Sequence, residues 1–499
     1  MSRKLPLSTF IITAIIILIL GYVLGKYIGQ MASQIDFGAQ IIHADELGAE
    51  IPLFFCIPFV GMLLCIALCP LFLAEVWEKW RWAFVLAWSL LFLIPFAMYY
   101  NAPTMLDQLL ESIVGDYLTF IVLLFGLFCV AGNICLKGDV AGTPKTNVIM
   151  LLIGTLLASW IGTTGASMVM IRPLLRANSW RTKKVITVVF FIFLVSNIGG
   201  CLTPIGDPPL LMGFMRGVPF AWELGNLLPM MIFNVVVLLV VYFFLDRRNY
   251  KKDVADGRKP VSGGQKLGLA GAHNIIFMLV IVAAVILSGV LPGVPAFQDA
   301  SGNVLAIHVF GSVSLTYPTL LEIVLILAAA FLSFKTTRKT VRMRNNFTWG
   351  AIKEVAVLFI GIFITMIPAL LFLKAHGASL GLTQPWQMFW VTGILSSFLD
   401  NTPTYLVFLT TAGTLGAGAG IATTVGMIPV KMLAAISCGA VFMGANTYIG
   451  NAPNFMVASI ANENGVKMPS FGGYLGWSVR FLIPLFVIDM LLFFNPFIG

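Results

Sequence analysis

Two carboxylates, with amides and hydroxyls near them, stand in segments otherwise almost free of polar groups. Asp207 lies in Thr203-Pro204-Ile205-Gly206-Asp207-Pro208-Pro209, and Asp400 in Ser396-Ser397-Phe398-Leu399-Asp400-Asn401-Thr402-Pro403-Thr404. Thr163, Thr164 and Ser167 sit in a third such stretch, Gly162-Thr163-Thr164-Gly165-Ala166-Ser167. Asn197 precedes the first, and Asn446, Thr447, Asn451 and Asn454 form a fourth group. Hydroxyl, amide and carboxylate oxygens suit a small dehydrated cation such as Na⁺, and a carboxylate at membrane depth marks an ion or proton path. Asn197, Asp207, Asn401 and Asn451 are the candidate Na⁺ ligands. Each has a plainer reading. Hydroxyls in apolar helices often satisfy a neighbouring backbone, and Asp or Asn before a helix often caps it. Arg172 is the basic residue set well inside an apolar run. It is a charge partner for these carboxylates, a holder of an anionic substrate, or a side chain that snorkels out of the membrane.

These residues must be positioned by interrupted helices. The stretch Thr203 to Met212 is written a second time as Thr447-Tyr448-Ile449-Gly450-Asn451-Ala452-Pro453-Asn454-Phe455-Met456, and Gly200 is matched by Gly444. Each copy follows a long apolar run and breaks it with residues a helix interior resists: Gly costs about 1 kcal/mol relative to Ala, and Pro about 3. Freed backbone groups survive at membrane depth only where protein or a water-filled cavity covers them. Broken helices at matching positions of two halves point to the binding site of a secondary transporter.

The rest of the chain agrees. Of 499 residues, 59% are hydrophobic and 10% charged, against about 25% charged in soluble domains. The net charge of +9 comes from Lys and Arg in short loops, as the positive-inside rule expects, so nucleic acid is not a partner. The seven cysteines lie in apolar stretches without Cys-x-x-Cys, and read as packing residues. No phosphate-binding loop is present, no His stands at depth for enzymatic or haem chemistry, and no cofactor beyond coupling Na⁺ or H⁺ is expected.

Apolar windows of about 20 residues place spans near 7–30, 51–73, 82–100, 117–136, 184–217, 226–245, 273–292, 317–334, 351–373, 428–461 and 473–495. Segments 146–177 and 386–413 enter and leave on one side. Residues 7–30 read as an uncleaved first helix rather than a signal peptide. Of 30 basic residues, Lys26, Arg216, Lys374 and Lys431 fall outside, Arg172 within the membrane and the other 25 inside. The expected fold is therefore an all-α polytopic membrane protein of about eleven transmembrane helices plus two re-entrant hairpins. Its division is an N-terminal extra helix and outer loop (1–50), a first inverted repeat (51–245), a cytoplasmic linker (246–272) and a second repeat (273–499). Broken helices meet at the midplane, with the N-terminus inside and the C-terminus outside.

At these motifs the chain resembles the ion-transporter superfamily. Ser196-Asn197-Ile198-Gly199-Gly200 with Thr203-Pro204-Ile205-Gly206-Asp207-Pro208-Pro209 is similar to a signature shared by arsenite permeases, sodium/proton antiporters and citrate-transporter-like families. Asp400-Asn401-Thr402-Pro403-Thr404 resembles the Ser-Asn-Thr hairpin motif of divalent-anion/sodium symporters, with Asp in place of Ser. The resemblance is nearest to the bacterial citrate transporter or sodium/proton antiporter group. It implies an elevator mechanism, a homodimer in the bacterial inner membrane, and Na⁺ sites at the hairpin tips. The first hairpin lacks Ser-Asn-Thr, and two acidic residues stand where symporters tend to be neutral. Both departures favour sodium/proton antiport. Sodium- or proton-coupled transport of citrate or another di- or tricarboxylate is the alternative, and a channel comes third.

Overall fold

The computed structural model describes residues 39–138, 140–260, 268–345 and 347–495. The first expected span, 7–30, lies outside the described residues, as do 261–267 of the linker. A short α1 (Ala44–Glu50) leads to α2 (Ile57–Phe72) and α3 (Ala74–Tyr99). Then α4 (Ala102–Leu110) passes through a π-helical turn (Glu111–Tyr117) into α5 (Leu118–Gly132) and strand β1 (Cys135–Lys137). Next come α6 (Pro144–Ile161), α7 (Thr163–Ala177), α8 (Val185–Leu194), α9 (Pro208–Met215) and α10 (Trp222–Ala255). After β2 (Gly268–Ala270) follow α11 (Asn274–Val290), β3 (Ala306–Phe310), β4 (Val313–Thr316), α12 (Tyr317–Thr336), α13 (Lys339–Arg344) and α14 (Gly350–His376). The chain ends with α15 (Pro385–Phe398), α16 (Asn401–Gly413), β5 (Ile421–Thr423), β6 (Gly426–Ile428), α17 (Val430–Met443), α18 (Ala452–Glu463) and α19 (Phe471–Phe493).

Among the described residues, nine helices are long and apolar enough to cross a membrane. Eight coincide with continuous spans read from the sequence. The ninth is α6, the first arm of the expected hairpin 146–177. The two broken spans appear as shorter apolar helices, Val185–Gly200 and Val430–Asn446. The strands form two-stranded antiparallel pairs, β1 with β2, β3 with β4 and β5 with β6, all in connections between helices.

Burial separates two kinds of apolar helix. Every residue from Ile186 to Leu194 of α8, and from Met432 to Met443 of α17, is buried. In contrast α2 exposes Val60, Leu64 and Leu68, α11 exposes Ile276 and Leu279, and α12 exposes Val324 and Phe331. Contiguous apolar exposure of this kind is unstable in water and suits hydrocarbon. The broken helices are therefore wrapped in protein, as their interrupted backbone requires.

The helix ends separate by charge. At one face Lys374 pairs with Asp45 at 2.7 Å, Ser312 N–H donates to Asp107 at 2.7 Å, and Arg216 holds Asp116 through two bonds of 2.8 and 3.0 Å. At the other face Arg81 pairs with Glu354, and Arg181 binds Asp246 and Asp253. These groupings join the loops that the charge map assigned to each side.

Three boundaries differ from the sequence reading. Residues 101–116 are not a loop: Asn101 caps α4 by accepting from Thr104 N–H at 2.7 Å. The π turn that follows is held by Ser112 Oγ donating to Phe363 O at 2.8 Å. The helix expected at 226–245 extends to Ala255 and takes in Arg247, Arg248, Lys251 and Lys252, because Arg and Lys are good helix formers and a helix need not stop at the membrane surface. Residues 339–344 form α13 within an expected basic loop.

Candidate functional site

Gly162 ends α6 with φ +77°, a conformation that costs Gly little, and α7 starts at once. The α8–α9 interruption spans 195–207. Its 3₁₀ turn Ile198–Gly200 is followed by Pro204 and Gly206, and Pro208-Pro209 restart a helix at positions where the missing N–H is harmless. The second half repeats these contacts. Thr203 Oγ1 donates to Ser159 O and Thr447 Oγ1 donates to Ser397 O. A Cβ on Gly206 would lie 2.1 Å from Gly200 O, and one on Gly450 would lie 2.5 Å from Gly444 O. The repeated glycines are thus places where two backbone strands touch.

Asp207 stands at the centre, 1% exposed. Its Oδ1 accepts from Thr163 Oγ1 at 2.9 Å and from Asn451 Nδ2 at 3.2 Å, and its Oδ2 accepts from Asn401 Nδ2 at 2.9 Å. The three donors come from the first tip, the second break and the second tip. No Lys, Arg or His pairs with Asp207 among the described residues. Behind this ring, Asn451 also donates to Ser196 O and Asn197 Oδ1, and Asn197 donates to Asn454 Oδ1 at 2.7 Å. Asn454 in turn donates to Gly444 O and Thr447 O. Ser396 Oγ, donating to Asn401 Oδ1 at 2.7 Å, sets that amide's orientation. The N-terminal ends of α9 and α18 begin at Asp207 and Asn451 themselves, so two partial positive charges converge on the one carboxylate.

Na⁺ fits this donor set chemically. Asn401 and Asn451 each carry an amide oxygen on the carbon that bears the donating nitrogen, so a half-turn exchanges donor for ligand. Asn446 Oδ1 is a buried oxygen without a hydrogen-bond partner among the described residues. A metal bound by three or more His, Cys, Asp or Glu is not provided for among the described residues.

The remaining sequence candidates separate. Asp400 is the N-cap of α16, accepting from Thr402 N–H at 3.1 Å, and its backbone oxygen accepts from Thr404 Oγ1 at 3.0 Å. It is not hydrogen-bonded to Asp207, and here the capping alternative describes it. Ser167 shares a 2.9 Å contact with Ser196. Thr164 is half-buried and lines a small cavity of about 60 Å³ with Gly162, Thr163, Leu127 and Val355. Arg172 makes no salt bridge among the described residues. It stands nine residues beyond Thr163 on α7, about 13 Å along the axis. Ser159 escaped the sequence reading, although its place three residues before Gly162 parallels that of Ser397 before Asp400.

A larger cavity of about 340 Å³ opens nearer the acidic face. Gln108, Glu111, Asp116, Arg216, Lys374 and Thr410 are among its lining residues. It lies between α14 and the π turn on one side and α9 and α16 on the other.

A family model described as "Putative citrate transport" matches residues 48–494 of the 499. No curated protein matches the chain.

Proposed function

The chain belongs to that citrate-transport family and is a multi-pass membrane transporter, and we propose that it exchanges Na⁺ for H⁺ at Asp207. The observation that carries this reading is a buried carboxylate at the first helix break whose hydrogen bonds, among the described residues, all come from neutral donors at both tips and the second break. An isolated ionised carboxylate in a dry interior is very costly. A proton removes the charge and a sodium ion balances it, so the two compete for one place. With Na⁺ bound, Asn401 and Asn451 present their amide oxygens. With H⁺ bound, the carboxyl is neutral and the amides keep their donors toward it. Either loaded state can move through an apolar barrier more cheaply than the empty one.

In this proposal 51–245 and 273–499 are inverted repeats. Segments 146–177 and 386–413 are re-entrant hairpins, and the tips with α8–α9 and α17–α18 move as an elevator against α2–α5 and α11–α14. The segregated charge of the two faces supports inside-positive loops, and the cavity between α14 and α9 supplies an entry from the outer side. A homodimer is the assembly the resemblance implies.

A second reading is sodium-coupled citrate uptake, favoured by the family itself. The anion's carboxylates would then sit at the half-helix N-termini near Thr402 and Thr164, beside bound Na⁺. Thermal denaturation of the full-length protein in detergent separates the two. For antiport, Na⁺ alone raises the midpoint and citrate adds nothing. A ligand at a hundredfold excess over its Kd stabilises by about 2.7 kcal/mol, which is readily measured. Stabilisation by citrate only when Na⁺ is present would replace antiport with symport.

A further inference from the structure

A second carboxylate is as shielded from solvent as Asp207 and takes no part in that cluster. Glu223, in the first turn of α10, is fully buried, and among the described residues no other residue donates a hydrogen bond to its carboxylate. Nε1 of the adjacent Trp222 is likewise buried and unsatisfied among the described residues. Tyr405 of α16 is near enough to interact with Glu223, and its hydroxyl meets Ser437 of α17. Its phenol packs so closely on α9 that a Cβ on Gly213 would stand 2.3 Å from the hydroxyl. Buried polar groups are nearly always paired, so several orphans in one region mark a place where something exchangeable binds.

We propose that Glu223 is a second proton-binding site of this transporter, separate from the Asp207 cluster and enclosed by Trp222 and Tyr405. The proton is favoured over a metal ion by the ligand count. Na⁺ would need a cage of oxygens, and the backbone group that reaches this carboxylate is the N–H of Glu223 itself, a donor and not a ligand. The titratable groups facing Glu223 are Tyr405 from α16 and Cys201 from the α8–α9 break. Arg216 stands beyond Tyr405 and is already held by Asp116. Among the other elements packed on α10, α8 carries no titratable side chain, and Lys145 of α6 sits at the opposite face. On α19, Arg480 is exposed, and Asp489 accepts from Asn234, eleven residues further along α10 and about 16 Å away. Lys431 and Cys438 are the titratable groups of α17, Lys431 is exposed, and no salt bridge to Glu223 is formed among the described residues, so an ionised Glu223 would be a buried charge without a paired cation.

The proton's route is short. Glu223 follows the exposed residues 217, 219 and 221 by two to six positions, at the end of α10 nearest Arg216 and its partner Asp116. A shift of this loop lets water reach the carboxyl: protonation takes one proton from that water, and release returns it. The site does not depend on which solute Asp207 carries.

Infrared difference spectroscopy between acid and alkaline pH, on the full-length protein in lipid, tests this directly. Isotope-labelled glutamate marks the carboxylic-acid carbonyl bands that belong to Glu. One such band is expected to vanish in Glu223→Gln, to persist in Glu322→Gln and Asp207→Asn, and to shift in frequency in Tyr405→Phe. Because Glu223→Gln could fail to fold, Glu223→Asp serves as the second variant: the labelled band is lost and an unlabelled acid band replaces it. A glutamic-acid band unchanged in either Glu223 variant overturns the proposal. So does its loss in Asp207→Asn, which would make the two sites one.

Discussion

Asp207→Asn is expected to abolish sodium-driven proton flux in proteoliposomes while expression and folding stay at the parental level. Asn matches Asp in size and its one oxygen, placed as Oδ1, can still accept from Thr163 and Asn451, so the hydrogen-bonded ring survives in part. The charge does not. Two unit charges 4 Å apart at an effective dielectric constant of 20 attract by about 4 kcal/mol, and each 1.4 kcal/mol is tenfold in affinity. Sodium affinity should therefore fall by roughly three orders of magnitude. Asp400→Asn supplies the contrast, because Asn caps a helix about as well as Asp and Thr402 N–H keeps its acceptor. Flux in that variant should stay near parental. Full sodium-driven flux in Asp207→Asn, or complete loss in Asp400→Asn, would reverse the roles given to the two residues.

Arg181→Ala should destabilise the protein by about 3–5 kcal/mol, the cost of breaking a buried ion pair by removing one partner. Arg181 is 2% exposed and binds Asp246 through two bonds of 2.8 and 3.1 Å and Asp253 through one of 3.0 Å. Its loss leaves two buried carboxylates facing each other without a cation. Asn147 and Asn178, which exchange two amide bonds beside Asp246, cannot neutralise them. Chemical denaturation in detergent micelles reads the change. Replacing Asp246 and Asp253 by Asn in the Arg181→Ala background should recover much of the loss. A variant as stable as the parent would mean that the triad is hydrated and contributes little.

How much of this could be read from residues alone depends on how far each feature reaches along the chain. The helix limits of these stretches came out within two residues, 146–177 against Pro144–Ala177 and 386–413 against Pro385–Gly413. They are written locally, in apolar runs punctuated by Gly, Pro and Asn. The π turn at Glu111–Tyr117 is not written locally, since it rests on α14 through Ser112 and through Tyr117 OH donating to Ala356 O at 2.9 Å. The site shows the same division. Asn197, Asp207, Asn401 and Asn451 were legible as one chemical set, and the structure brings all four together. Asp207 and Asp400 looked equivalent because each follows apolar residues and precedes a helix restart. Their difference is tertiary: the donors to Asp207 come from 44, 194 and 244 positions away, whereas the donor to Asp400 is two residues on. Glu223 gave no signal, because a Glu in the first turn of a helix reads as a favourable terminal charge until its burial is known.

The claim that Na⁺ and H⁺ compete for Asp207 is met most directly by adding Na⁺ to proteoliposomes loaded at acid pH, with no organic anion present. The account predicts that protons leave the lumen on sodium addition, with an apparent sodium affinity that weakens as the pH is lowered. No proton release until citrate is supplied, with sodium affinity independent of pH, would contradict it.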